Sequence, residues 1–204
     1  ANDAIPVTIG SRPPIHQSSI TASHYALDSH AVRKREEGRV HLDGFLSYPS
    51  AVYTVPYGVM VPKEVGNLLL PVPVSGSHIG FSTLRMEPCW MAMGQAAGIA
   101  SALSIDEKVK VQNIDLSRLQ DKLVDQKATL MYFKDVDYTS PHFRMVQYLG
   151  LRGYLPEWTA RLQEPVDMAT LTAWKKLSGK DLPGIEAGKT TRLVALEMIY
   201  RKIK

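Results

Sequence analysis

Cysteine is almost absent from this sequence, which contains one such residue, Cys89, among its 204 residues. An intrachain disulfide is therefore impossible, and this excludes the small secreted folds that depend on several disulfides. Two interpretations of Cys89 follow from its predicted place in the first turn of a helix. Either the helix end lowers the pKa of the thiol and makes it reactive, or Cys89 is a small apolar residue of the core.

The sequence also lacks a long apolar run and a clustered basic region. The best candidate for a membrane span is interrupted by Pro71, Pro73 and the segment 75–78, whereas a span needs about 18 uninterrupted apolar residues. The amino-terminal residues show no basic segment followed by an apolar core, so a signal peptide is not expected in them. The formal net charge is +4 and the basic residues are scattered, which argues against nucleic-acid binding.

A further absence concerns dinucleotide binding. Folds that bind a dinucleotide begin with a strand, a Gly-x-Gly-x-x-Gly turn and a helix, and the turn holds the pyrophosphate. No Gly-x-Gly occurs anywhere in this sequence. If a dinucleotide is used, we expect the chain to be the carboxy-terminal part of a larger protein whose upstream residues hold the nucleotide.

The most informative segment that is present spans residues 67–103. Leu68–Val72 is predicted as a buried strand, residues 73–80 as a turn-rich loop, and a helix is predicted to open at Pro88, since proline suits the first helical position. Gly94 and Gly98 follow within that helix, although each glycine costs a helix about 1 kcal/mol relative to alanine. Their spacing indicates a close approach to one helix face. Either a ligand sits at the electropositive helix amino terminus, or the helix packs on a sheet with no ligand.

Several separate segments resemble one known family in their order and spacing. They lie within about residues 20–130 and comprise His24–His30, Tyr53–Lys63, Asn67–Val72, Ser77–His78, Thr83–Arg85, Pro88 and Met91–Gly98. Together they resemble the carboxy-terminal part of the FAD-dependent oxidoreductases, some of which carry the label xanthan lyase. The resemblance implies FAD as the cofactor of the longer protein and an amino-terminal FAD-binding portion as the partner of this chain. FAD binding by this chain alone is not expected.

The resemblance also implies roles for individual residues. The loop and the helix amino terminus would close over the flavin, and the implied cofactor-binding residues are Thr83, Arg85, Met86 and Cys89. His78 would be the catalytic residue on the substrate side, where it would accept or relay a proton, because the imidazole of histidine titrates near neutral pH. A lone loop histidine is also commonly a hydrogen-bonded surface group. Tyr57 would bind the substrate, for which the xanthan lyase label implies a glycan.

Three positions depart from the family pattern. Gly58 stands where the family usually has an arginine, so an anion contact from that arginine is missing. Glu87 and Trp90 replace the more common small or apolar residues. The polarity of the pocket is therefore expected to differ from that of other members.

Helical periodicity dominates the sequence after residue 110. One amphipathic helix is predicted from Asp115 or Ser117 to Gln126, and a second is predicted to begin at Pro141, with Ser140 as its cap, and to stop at Gly153. A third is predicted near Asp167, with Met168, Leu171, Trp174 and Leu177 as its core face, and a fourth from Thr191, with Leu193, Leu196, Ile199 and Ile203 on one side.

Part of this tail, from Phe133 to Val166, is similar to one surface-layer homology repeat of cell-envelope proteins. The usual Thr-Arg-Ala-Glu start of the second helix is replaced by Asp167-Met168-Ala169-Thr170. Two interpretations stay open: a helical cap that packs on the rest of the chain, or a glycan or wall anchor.

The predicted fold class is α+β, with an incomplete β region and a small-residue helix followed by a small all-helical domain. The expected boundaries are an extended lead at 1–19, the oxidoreductase portion at 20–130 and the helical domain at 131–204. His24, Asp28 and His30 alternate along one segment, but polar alternation on a half-buried strand explains them and no metal site is expected. Unpaired strand edges would favour a homo-oligomer. The second hypothesis for function is a non-catalytic envelope or glycan-interaction module.

Overall fold

The structure is a computed structural model that describes residues 19–23, 26–29, 33–36, 39–42, 46–49, 52–76 and 78–204. It is rich in helix, as predicted. The strands are β1 Ser19–Ser23, β2 Ala26–Ser29, β3 Arg33–Glu36, β4 Arg39–Leu42, β5 Leu46–Pro49 and β6 Tyr53–Pro56. The helices are α1 His78–Leu84, α2 Glu87–Glu107, α3 Leu116–Asp125, α4 Phe143–Gly150, α5 Met168–Ser178 and α6 Arg192–Ile203. Residues 1–18 of the predicted lead, and His24 and His30, lie outside the described residues.

The strands form three separate antiparallel pairs, β1–β6, β2–β5 and β3–β4. The pair β1–β6 is buried, since all four residues of β6 are buried and Ile20 of β1 is 1% exposed. Helices α2 and α3 both contact β1. Helices α2 and α3 therefore pack on this strand pair, whereas α1 contacts β2.

The predicted strand at Leu68–Val72 is wrong. Residues 68–70 are extended without strand pairing and residues 71–73 form a bend, and Leu68 and Val72 are 38% and 45% exposed. Pro71 and Pro73 explain the difference, because neither has the N–H that a strand ladder needs. The segment is held instead by two backbone bonds, from Leu70 N to Met60 O and from Ser75 N to Val59 O.

The predicted loop at residues 73–80 is also partly wrong, because α1 begins at His78. Gly76 precedes this helix at a point of close approach. A Cβ added there would lie 3.3 Å from the backbone nitrogen of Phe81 and 3.7 Å from Leu84. The absence of a side chain at Gly76 therefore lets the incoming segment lie directly against the first turns of α1.

The helix predicted to open at Pro88 is confirmed as α2, which starts one residue earlier. Pro88 lies in its first turn, and Glu87 places a negative charge at the positive end of the helix dipole. At the other end Lys108 adopts a left-handed backbone, with φ of 55°. Two bonds, from Lys108 N to Ile105 O and from Val109 N to Ser104 O, then satisfy the last carbonyls.

The tail helices match the predictions with two corrections. The cap residues Asp115, Asp167 and Thr191 each accept a backbone bond in the first turn of their helices. Helix α4 begins at Phe143 rather than Pro141 and ends at Gly150 rather than Gly153, because Ser140 caps the N–H of His142 in a preceding turn. The predicted core face of α5 is half wrong. Leu171 and Trp174 are buried, whereas Met168 and Leu177 are 67% and 51% exposed.

The buried side chains of residues 20–130 and of residues 131–204 form one continuous cluster. Polar side chains inside this cluster are hydrogen-bonded to backbone groups. Gln147 is fully buried and makes three hydrogen bonds, and the indole of Trp174 donates to Tyr154 O at 2.7 Å.

Two surface turns contain basic residues in left-handed backbone, Lys127 with φ of 66° and Arg161 with φ of 51°.

Candidate functional site

The candidate site is built on the short connection between α1 and α2. Arg85 and Met86 form this connection, and the N–H of Arg85 donates to Phe81 O as the last bond of α1. Met86 is the cap residue of α2, with extended backbone. Both residues are partly exposed. The sequence-predicted residues Thr83, Arg85, Met86 and Cys89 are thus brought together within two consecutive helix ends.

A buried pair of hydroxyls fixes α1 to the strand layer. The hydroxyl of Tyr53 donates to Thr83 Oγ1 at 2.7 Å, and Thr83 Oγ1 donates to Gly80 O at 3.1 Å. Thr83 is 0% exposed. Because its hydroxyl already has two partners inside the protein, Thr83 is suited to position the Arg85–Met86 connection rather than to reach a ligand itself.

The amino terminus of α2 offers fewer donors than an open helix end. The N–H groups of Cys89 and Trp90 both donate to Met86 O, at 3.0 and 3.1 Å, and Pro88 has no N–H. The helix dipole remains, since it depends on the aligned peptides of all 21 residues of α2. A negative charge is favoured here mainly by that field.

Cys89 lies in the core, with 2% of its surface exposed. Its neighbours in the cluster include Met93 and Ala96 of the same helix face. The position is that of a small apolar residue, which was one of the two interpretations of the sequence. A direct contact between its thiol and a ligand would require this packed face to open.

Trp90 supplies a feature that the sequence did not reveal. Its indole Nε1 is buried and has no hydrogen-bond partner among the residues that the structure describes. A buried donor without an acceptor costs about 1–3 kcal/mol, so such groups commonly mark a missing ligand or water. The unusual tryptophan was visible in the sequence, but the orientation of its N–H was not.

The helix face that continues from Trp90 is open. No atom lies within 4 Å of a Cβ built on Gly94 or on Gly98, and Met91 and Ile105 at the two ends of the same helix are 75% and 76% exposed. The close neighbour predicted from the two glycines is therefore not supplied by the described part of the chain. A planar group could approach the α2 backbone here without a steric conflict.

Tyr57 is buried rather than presented to solvent. It is 5% exposed, and its hydroxyl donates to Val111 O at 2.8 Å. Burial raises the pKa of Tyr57 to about 12, because the phenolate would lose its hydration. The side chain thereby ties the 3-10 turn at Tyr57–Met60 to the turn at Val111–Asn113.

The raised pKa of Tyr57 predicts a loss of stability at alkaline pH. An unfolded tyrosine ionises near pH 10, whereas the folded Tyr57 keeps its proton to about pH 12. Between these values the unfolded state releases a proton that the folded state retains, so the free energy of unfolding falls as pH rises, by at most about 1.4 kcal/mol per pH unit. Urea denaturation of the wild type and Tyr57→Phe over this range measures the effect. An equal slope in both proteins would contradict it.

His78 is the first residue of α1, and its side chain is not among those described. Its backbone lies about one and a half turns before Thr83 and about two turns before Arg85. Among the described residues, no group of three or more histidine, cysteine, aspartate or glutamate side chains could hold a metal ion. No helix in that same part is long and apolar enough to cross a membrane.

A family model described as FAD dependent oxidoreductase matches residues 11–123. The match covers more than half of the chain and includes the strand layer, α1, the Arg85–Met86 connection and the whole of α2. The chain belongs to the FAD-dependent oxidoreductase family, which confirms the family assignment made from the sequence. No curated protein and no solved structure matches it.

Proposed function

We propose that this chain supplies the part of a flavin-dependent oxidoreductase that closes over the isoalloxazine end of FAD. The nucleotide end would be held by an amino-terminal portion of the longer protein, because no Gly-x-Gly occurs in these 204 residues. The isoalloxazine, when bound, accepts a hydride from the substrate. The described residues are compatible with that end of the cofactor. Helix α2 has an open face at Gly94 and Gly98, and the indole N–H of Trp90 has no acceptor among the described residues.

The observation that carries this proposal is the buried N–H of Trp90. It lies in the first turn of α2, where the positive end of the helix dipole favours an electron-rich ligand. The pyrimidine ring of a flavin has carbonyl oxygens that accept hydrogen bonds and gain negative charge on reduction. Such an acceptor would satisfy the indole N–H of Trp90, and Gly94 and Gly98 leave space beside α2 for a planar ring.

The family resemblance gives the other residues around this turn their proposed roles. Arg85 would stabilise negative charge on the reduced ring or on the substrate, and Met86 would line the flavin site. Thr83 positions both residues through its bonds to Tyr53 and Gly80. His78 accepts or relays the proton that leaves the substrate with the hydride.

Cys89 and Tyr57 act as supports in this proposal. The thiol of Cys89 is packed beneath the first turn of α2, and the hydroxyl of Tyr57 is engaged by Val111. The substrate is proposed to be of glycan type, on the basis of the sequence resemblance alone. Oxidation of a sugar hydroxyl is the step that this arrangement of a cation, a proton acceptor and a flavin would serve.

Reconstitution with FAD tests the proposal. We expect the product of the full reading frame to bind FAD and show flavin absorbance, and Trp90→Phe to weaken FAD binding by about 5–10-fold, which corresponds to the loss of one hydrogen bond of about 1–1.4 kcal/mol. Since the indole N–H has no partner within the described protein, the flavin-free form should lose less than about 1 kcal/mol of stability on this change. Titration calorimetry and urea denaturation measure the two quantities.

Trp158→Phe is the matched control, because Trp158 lies outside the matched residues 11–123 and should leave FAD affinity unchanged. If the full product binds no flavin, the oxidoreductase proposal fails. If FAD binds but Trp90→Phe has the affinity of the wild type, the contact assigned to Trp90 is wrong.

A further inference from the structure

A second concave site lies where α4, α5 and α6 end together. The cleft has a volume of about 490 Å³ and is lined by Arg152, Tyr154, Leu177, Ser178, Lys180 and Ile203. This volume falls in the range of about 300–1,000 Å³ that small-molecule sites occupy. The cleft lies beyond the family match, which ends at residue 123.

Two cations line this cleft without a carboxylate partner. In the described part of the chain, no carboxylate lies within 4.0 Å of Arg152 or Lys180, whereas neighbouring basic residues are paired. Arg144 pairs with Asp121 and Asp125, and Lys175 lies 3.7 Å from Asp181. Neither Arg152 nor Lys180 is therefore held in an ion pair with a described carboxylate.

The ends of three helices meet here, and their carbonyls would repel an anion if nothing covered them. Cations cover carbonyls at two of these ends. Arg152 Nη1 donates to Tyr148 O of α4 at 3.1 Å, and Lys180 Nζ donates to Lys202 O of α6 at 2.5 Å. Lys202 Nζ donates to Asp181 O, which lies just beyond α5, at 3.0 Å. Each bond uses one N–H, and a guanidinium has five and an ammonium three, so donors remain for a ligand.

Apolar surface completes the site. Leu177 is 51% exposed although it lies on the helix face that the sequence predicts as core, and Ile203 lies across the cleft from it. The guanidinium of Arg152 is held 3.4 Å from the ring of Tyr148, which orders the cation before a ligand arrives. An ordered cation beside an exposed apolar wall suits a ligand with a charged end and an apolar body.

We infer that this cleft binds a small organic carboxylate, with the carboxylate between Arg152 and Lys180 and an apolar ring or chain against Leu177 and Ile203. The planar fork of an arginine matches the two oxygens of a carboxylate. The inference does not depend on flavin binding, since none of these residues lies in the matched region.

A titration with cyclohexanecarboxylate, followed by amide chemical shifts of the whole chain, tests the site. We expect millimolar or tighter binding that shifts the resonances of residues 152–154 and 177–180. Arg152→Gln, Lys180→Gln and Leu177→Asp should each weaken the affinity by about fivefold or more, as expected for loss of a charged hydrogen bond or gain of a like charge. Leu177→Asp keeps the test valid if Arg152→Gln is unstable, because Leu177 is exposed.

The matched control is Lys189→Gln, an exposed lysine paired with Glu186 at 2.8 Å, which should bind the probe as the wild type does. Cyclohexylmethanol, which has the same ring without the charge, should bind far more weakly. The inference is overturned if cyclohexanecarboxylate causes no shifts at the cleft, or if the alcohol or inorganic phosphate binds there as tightly.

Discussion

Replacement of Gln147 by leucine is expected to lower the free energy of unfolding by about 3–5 kcal/mol, because three buried backbone groups lose their partner at a cost of about 1–3 kcal/mol each. Gln147 is 0% exposed. Its Oε1 accepts from the N–H groups of Leu130 and Met131 at 2.8 and 2.7 Å, and its Nε2 donates to Met131 O at 2.7 Å. These bonds attach the segment between α3 and α4 to α4 itself. Urea denaturation followed by far-ultraviolet circular dichroism measures the loss.

Gln95→Leu is the matched control for this change. Gln95 makes a single exposed bond, to Gln126 Oε1 at 2.9 Å, and surface changes of this kind usually alter stability by less than about 0.5 kcal/mol. A destabilisation of similar size in both variants would show that the amide network around Gln147 has no special importance.

Replacement of Trp174 by alanine is expected to cost about 3–5 kcal/mol, the range for removal of a buried aromatic side chain. Trp174 is 1% exposed, and it combines apolar burial with a bond from Nε1 to Tyr154 O. The guanidinium of Arg192 lies 5.2 Å from its ring. Burial lowers the pKa of Arg192 below its ordinary value, which reflects the cost of placing this cation in the core. Loss of the ring leaves that cation without its aromatic neighbour.

Trp174→Phe separates these contributions. It keeps an aromatic face for Arg192 and removes the indole N–H, so we expect a smaller loss of about 1–2 kcal/mol. The two variants are compared by their midpoints and slopes in urea. Equal losses for phenylalanine and alanine would mean that the hydrogen bond, rather than the ring, carries the stability.

Helix starts were the most predictable features of this fold. The caps Asp115, Asp167 and Thr191 and the proline at Pro88 act within one turn of their own positions, so local sequence decides them. The start of α4 was predicted two residues too early, because Ser140 caps a turn that precedes the helix.

Features that depend on distant partners could not be predicted in this way. The apolar residues of Leu68–Val72 suggested a strand. Pro71 and Pro73 have no N–H to donate to a neighbouring strand, and backbone hydrogen bonds to Val59 and Met60 hold the segment instead. The regular spacing of Met168 and Leu177 with Trp174 suggested one core face, yet Met168 and Leu177 are 67% and 51% exposed in the described structure.

The candidate site also combines features that could be predicted from the sequence with features that depend on distant partners. The family resemblance implied that Thr83, Arg85, Met86 and Cys89 share one site, and these residues lie at the end of α1 and the start of α2. Their exposure could not be predicted, because Thr83 is covered by Tyr53 across a separation of 30 residues. The burial of the Trp90 N–H likewise depends on tertiary packing, which the local sequence does not show.

In the described part of the chain, a lysine or arginine adopts left-handed backbone in three turns: Lys108, Lys127 and Arg161. Side chains with a Cβ adopt that conformation at a cost of roughly 1–2 kcal/mol, which glycine avoids. Each turn lies at a helix end or in a loop outside the Arg85–Met86 connection. Glycine at these three positions is therefore expected to raise the thermal stability of the protein without altering the residues proposed to contact the cofactor.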